Sequence, residues 1–214
     1  YDVFLYDNAG TLTLELTAWT NGTTRATALT TQNGVYVRTA ALTRRYLGTL
    51  RTTSTTATED SAAKRFVWNY YNRAARTLQI TEATYTWTYT TDTIRQANGS
   101  TANQVAVVIG VNETPVFLNL IVSFRNATSG VAMTVGIGLD STTVISGIFG
   151  RIGTSGTVGE NLMLSASYTG FPGIGYHFLA WLERSGASGT TTWVGDEGGG
   201  TAFGQSGLVG HTLA

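Results

Sequence analysis

The residues able to do chemistry are few, and their spacing is poor. There is no cysteine, so thiolate metal sites and disulfide frameworks are excluded. The two histidines are His177 and His211. His177 lies in a run that alternates like a strand, beside Leu179 and Trp181, and no carboxylate stands near it in sequence. Ligation or general-base work needs such a partner, so a packed histidine is expected. The acidic residues are scattered. Asp196-Glu197 is an adjacent pair before glycines, which fits neither a glycosidase nor a calcium loop. GIGYHF, GIFGRIG and GGGTAFG lack the Gly-Lys-Ser/Thr of a phosphate loop. No catalytic residue, metal ligand or cofactor is assigned, and a non-enzymatic chain is expected.

Positive charge is concentrated in one place. The stretch from Arg44 to Arg76 holds seven of the thirteen basic residues, opposed only by Glu59 and Asp60. It also carries Tyr46, Phe66, Trp68, Tyr70 and Tyr71. Arginine and large aromatics favour interfaces, because they bury area while keeping hydrogen-bonding capacity. Arg44, Arg45, Arg51, Arg65, Phe66, Trp68, Tyr70, Tyr71 and Arg73 are therefore candidates for docking a partner. The competing reading is that the arginines pair internally with Glu59 and Asp60 and lie on rings. Nucleic acid is not the expected partner, since the chain is neutral overall and its flanks extend no phosphate track. Tyr85, Trp87 and Tyr89 alternate with threonines, forming either a buried face or a platform for host glycans.

These residues must be positioned by strands. Thr occupies 39 positions and Gly 26, while charged residues are 12% against about a quarter in an ordinary soluble domain. An all-β chain with many turns follows. No run of eighteen apolar residues is present, so no membrane span is expected. Residues 1–43 read as a small β-meander. Leu12, Leu14 and Leu16 recur at period two, and Asp7 to Gly10, Asn21-Gly22 and Asn33-Gly34 supply turns. Asp60 or Ser61 is placed to cap a short helix through Ala62 and Ala63. Phe66, Trp68 and Tyr70 alternate like a strand, although Phe66, Tyr70 and Arg73 also share a helical face; the strand is preferred.

From Thr77 onward the alternation is cleaner. Val116 to Phe124, Val131 to Leu139, Leu162 to Tyr168 and Ile174 to Leu182 each present an apolar face, separated by small-residue turns such as Gly150 to Gly159. An antiparallel two-sheet sandwich is expected. Two units follow: 1–76, a β domain with its basic connector for docking, and 77–214, a self-contained jelly roll. The run Ile174 to Glu183 is apolar on both faces, which predicts a partner subunit and a homotrimer.

Two resemblances add to this. The phrases YLGT-RTT and TEDS-KRFVWNYYNR resemble a segment found in structural proteins of tailed bacteriophages. The strand pattern of residues 77–214 resembles the jelly rolls of the C1q and tumour-necrosis-factor type. Together they imply a virion component: a fibre, spike or capsid-decorating protein that docks to capsid or tail and self-assembles. Recognition of host surface glycans is the alternative. The lack of an initiator methionine implies processing or trimming.

Overall fold

Two-residue turns set the first hairpins. In the computed structural model, which describes residues 1–153, 160–198 and 204–214, β1 (Asp2–Asn8) turns through Ala9 and Gly10 into β2 (Thr11–Thr17). Both turn residues have positive φ, 51° and 89°, the geometry whose twist matches a hairpin. Asn33 and Gly34, at 52° and 78°, do the same between β3 (Leu29–Gln32) and β4 (Val35–Arg38). The expected meander is reordered by the long strand β5 (Ala41–Leu50). It inserts between the hairpins, so the sheet runs β2-β1-β5-β4-β3. Bulges at Val3/Phe4 and Val37/Arg38 absorb the misfit.

The connector is extended throughout its ordered pairing. β6 (Lys64–Arg65) runs parallel to a strand of the sandwich, and β7 (Val67–Asn69) pairs with β5. The expected helix at Ala62 and Ala63 is absent. Their carbonyls accept instead from Gln79 N and Ala106 N, each at 2.8 Å, so sheet pairing overrides alanine's helix propensity. Gly48 is required here, since a Cβ would meet the Trp68 carbonyl oxygen at 2.2 Å.

The second half is a sandwich. Its strands are β8 (Ala75–Thr81), β9 (Thr86–Tyr89), β10 (Arg95–Gln96), β11 (Gln104–Ile109), β12 (Val116–Asn126), β13 (Ala132–Leu139), β14 (Gly150–Gly153), β15 (Leu162–Gly170), β16 (Gly175–Ser185), β17 (Thr191–Val194) and β20 (Gly207–Leu213). A small ribbon of β18 (Asp196–Glu197) and β19 (Gly204–Gln205) stands beside them. One sheet is ordered β14-β13-β16-β11-β6, with β10 also on β16. In the other, β12 is central, with β15 on one side and β20 and β17 sharing the other; β8 and β9 flank these. The predicted apolar faces of β12, β13 and β15 meet in one core with Leu179, Trp181 and Trp193. Of the predicted glycine-rich turns, residues 154–159 and the centre of GGGTAFG lie outside the described residues.

The two apolar faces of β16 are both covered by this chain. Leu179 and Trp181 enter the core. On the other face Tyr176 lies under Arg51 and against Phe66. Farther along the same face, across from Leu182, Gly136 leaves room for Ile145, whose side chain would lie 2.6 Å from a Cβ there. Burial of β16 thus needs no second subunit, contrary to the inference drawn from its pattern.

Candidate functional site

The connector's aromatics build the joint between the two sheet systems. Phe4, Tyr46 and Trp68 are at most 1% exposed and pack with Val108 of β11; Tyr36 and Tyr70 close the cluster. Gly110, just after β11, sits so close that a Cβ would meet Tyr46 Oη at 2.1 Å and the Trp68 ring at 2.3 Å. Arg25 crosses the joint. Its Nε donates to Asp2 Oδ2 at 2.8 Å, and its Nη2 donates to the Gly110 carbonyl and to Tyr46 Oη. Asp2 also accepts from Thr49 Oγ1 at 2.6 Å. Burial drives the Tyr46 phenol well above its ordinary range. Asp2 and Arg25 carried no signal in sequence: each is a lone charge in a neutral stretch.

The predicted docking residues separate into three kinds. Phe66 and Trp68 are interior side chains, at 4% and 1% exposure, and offer a partner nothing. Most of the arginines are already engaged. Arg44 pairs with Glu15 at 3.1 Å and lies 4.1 Å over Tyr6, while Arg65 pairs with Asp60 at 3.3 Å. Arg45 donates to Tyr71 Oη at 2.9 Å, and Arg73 pairs with Glu113 at 2.7 Å over the Trp68 and Tyr70 rings. Tyr70 is half-buried and Tyr71 exposed. Arg51, like Arg45, has no ion pair among the described residues; its guanidinium lies 3.8 Å over the Tyr176 ring.

The aromatic stripe is not a sugar platform. Trp87 is 7% exposed, donates to Glu183 Oε2 at 2.8 Å and packs edge-on against Trp181. The Tyr89 ring is covered by Arg95 at 3.8 Å. Only Tyr85 is open, just before the strand begins.

Two carboxylates stand in the sandwich wall, each held by several donors. Glu183 accepts from Trp87, from Arg95 Nε at 2.8 Å and from Asn98 N at 3.2 Å. Burial pushes its carboxyl up to about 6, against the pull of these donors. Glu82 accepts from Asn103 at 2.6 Å, Thr84 N at 2.9 Å and Asn98 Nδ2 at 3.2 Å. Burial works against its charge, yet the donors win and hold it below the ordinary carboxylate range. Both carboxylates clamp Asn98, whose φ of 53° is left-handed. His177 has a partner that its neighbours in sequence concealed: its Nδ1 lies 2.7 Å from Asp140 Oδ2. Its Nε2 meets no hydrogen-bond partner among the described residues, so no nucleophile completes a triad.

Two surfaces are left uncovered. On the edge strand β2, Leu12, Leu14 and Leu16 are 74%, 63% and 58% exposed. Their alternation was legible, but alternation does not tell which face is buried; here Glu15, paired with Arg38 and Arg44, marks the inner one. The second is the outer face of the β15-β12-β20 sheet. It presents Phe117, Asn119, Ile121 and Ser123 with Met163, Ser165, Ser167, Val209 and His211 across the register; Arg125, at the far end of β12 on this face, brings a charge and donates to Asn161 Oδ1 at 3.3 Å.

Comparisons with known proteins give a distant likeness. No family model matches the chain, and no curated protein matches it. A solved structure of Eiger TNF from S. frugiperda aligns over 67% of this chain and 94% of its own, at 12% identity and a TM-score of 0.40. The infectious bursal disease virus Gx strain aligns over 87% of this chain at 12% identity and a TM-score of 0.34. The VP2 subviral particle of that virus aligns over 86% at 14% identity and 0.32. The chain spans about half the length of these viral chains, 49% and 46%.

Proposed function

We propose that this chain is a non-enzymatic structural component of a bacteriophage virion, of fibre, spike or capsid-decorating type. It acts by self-assembly, as a homotrimer, and by docking to capsid or tail. Residues 1–76 supply the docking and residues 77–214 the self-association. The observation that carries this reading is the charge-poor outer face of the β15-β12-β20 sheet, where Arg125 stands only at the end of β12. A monomer normally spreads charge over such a face for solubility. Here Ile121, Met163 and Val209 stand 41%, 67% and 43% exposed among Ser and Asn side chains. The stretch around Ile121, Met163 and Val209 loses little on desolvation, because no ion among these side chains must be stripped of water.

Docking is assigned to the leucine face of β2, in place of the buried Trp68. Burying each of these leucines contributes about 1–2 kcal/mol, given how exposed they stand. The phage-like phrases YLGT-RTT and TEDS-KRFVWNYYNR support the virion assignment, and their residues form much of the joint. The test is Ile121→Arg together with Val209→Arg. Both side chains point outward, so the fold should persist while the assembled species falls to a monomer. Assembly unchanged by both substitutions would refute the assignment of this face.

A further inference from the structure

Arg51 stands at the mouth of a cavity that neither assembly nor docking uses. The cavity, of about 320 Å³, lies at the joint and draws walls from both sheet systems. The turn at Asn21 and Gly22 forms one side. It is laid against the start of β16 by the Tyr176 N to Gly22 O bond at 2.8 Å. Gly175, at φ 109°, permits this approach, since a Cβ would meet Gly22 O at 2.6 Å. Tyr1, Trp19, Thr52 and Val108 line the rest with Arg51 and Tyr176, and the Tyr1 amino group donates to Leu50 O at 2.8 Å.

The chemistry of the walls is one-sided. Arg51 has no carboxylate within ion-pair distance among the described residues, and Tyr176 holds its guanidinium flat at 3.8 Å. A guanidinium held by its face keeps its N–H edge available. The Trp19 indole N–H is buried and has no hydrogen-bond partner among the described residues. Asn21 spends its Oδ1 on Thr23 N at 3.0 Å, which turns its amide donors outward. No Asp or Glu lines the cavity. Arg25, six residues from Trp19, is by contrast neutralised by Asp2.

From this geometry we infer that the cavity binds a carboxylate-bearing sugar residue, of uronate or sialate type. One guanidinium edge matches one carboxylate in a two-pronged bond. The neutral donors around the cation suit ring hydroxyls, and Val108 supplies an apolar floor for the CH face. The volume takes a single ring, at the low end of ligand pockets. An acidic peptide would instead need a groove or an open strand edge beside the cation. The inference does not rest on the virion reading, because the lining residues named here all come from one chain.

The test is calorimetric titration of the full chain with methyl glucuronide and with N-acetylneuraminic acid. Methyl glucoside, acetate and a tri-aspartate peptide are run in parallel. The expected result is a millimolar Kd for at least one acidic sugar and binding about tenfold weaker or worse for the neutral sugar and for acetate. Arg51→Gln should abolish this binding and Trp19→Phe should weaken it, with both variants retaining the parent's circular dichroism. If Arg51→Gln is misfolded, Trp19→Phe alone decides, since it keeps a ring and removes only the donor. No binding of either acid, equal binding of the neutral sugar, preference for the peptide, or indifference to the substitution in a folded variant would overturn the assignment.

Discussion

Trp68 carries the sharpest lesson at the scale of single residues. Its type and its basic surroundings pointed to an interface, and it does sit in one, but between two parts of the same chain. Composition reports that large aromatics meet arginines; it does not report whether the meeting is within a chain or between chains. Trp68→Ala is therefore expected to destabilise the isolated chain by about 3–5 kcal/mol, as a large buried side chain does. Chemical denaturation of the dispersed protein measures this. A loss confined to assembly would return Trp68 to a docking role.

Glu183 gives a second residue-scale expectation. The folded state raises its carboxyl from 4.5 to about 6, so it holds the proton more tightly than the unfolded chain. Its contribution to stability is then fully present below about pH 4.5 and is lost as pH rises through 6. Relative to Glu183→Gln, the parent should gain about 2 kcal/mol between neutral pH and pH 4. Glu82 is lowered and must behave oppositely. Relative to Glu82→Gln, the parent should hold its advantage above the ordinary carboxylate range and lose it as pH falls below. Unfolding curves across this range check both signs. Neither carboxylate was legible, because their partners Trp87, Asn98 and Asn103 come from separate strands and turns.

Among the elements, β2 is the anomaly. Edge strands are ordinarily blunted by charge, proline or bulges. β2 has seven residues, three bare leucines and a single charge that faces inward. Leu14→Lys should change stability by less than about 0.5 kcal/mol, as an exposed substitution does. It should nevertheless strip the protein from assembled particles, which quantitation of purified virions would show. Incorporation at parental levels would remove the docking role from this strand. The strands of the sandwich were readable because alternation and turn residues agree there. The order of the first sheet was not, since period two cannot say that β5 enters between β1 and β4. The helix expected at Ala62 failed for a related reason. Two tertiary hydrogen bonds outweigh a local preference of a few tenths of a kcal/mol per residue.

At the scale of the whole molecule, the joint couples the two halves. Val108 and Gly110 of the sandwich share a packed cluster with Phe4, Tyr46 and Trp68, and Arg25 bonds across it. Gly110→Ala should disturb both halves together, so that two spectroscopic probes of unfolding move in concert. The all-β class followed from composition, and so did the scarcity of charge. Which surface that scarcity serves became visible only once the faces of β12, β15 and β20 were placed. The central claim is that this face joins copies of the chain. It is tested most directly by the mass of the full chain in solution, by light scattering at micromolar concentration and physiological salt. A single species of three chains, reduced to one by Ile121→Arg with Val209→Arg, is the predicted result. A monodisperse monomer for the parent chain would contradict it.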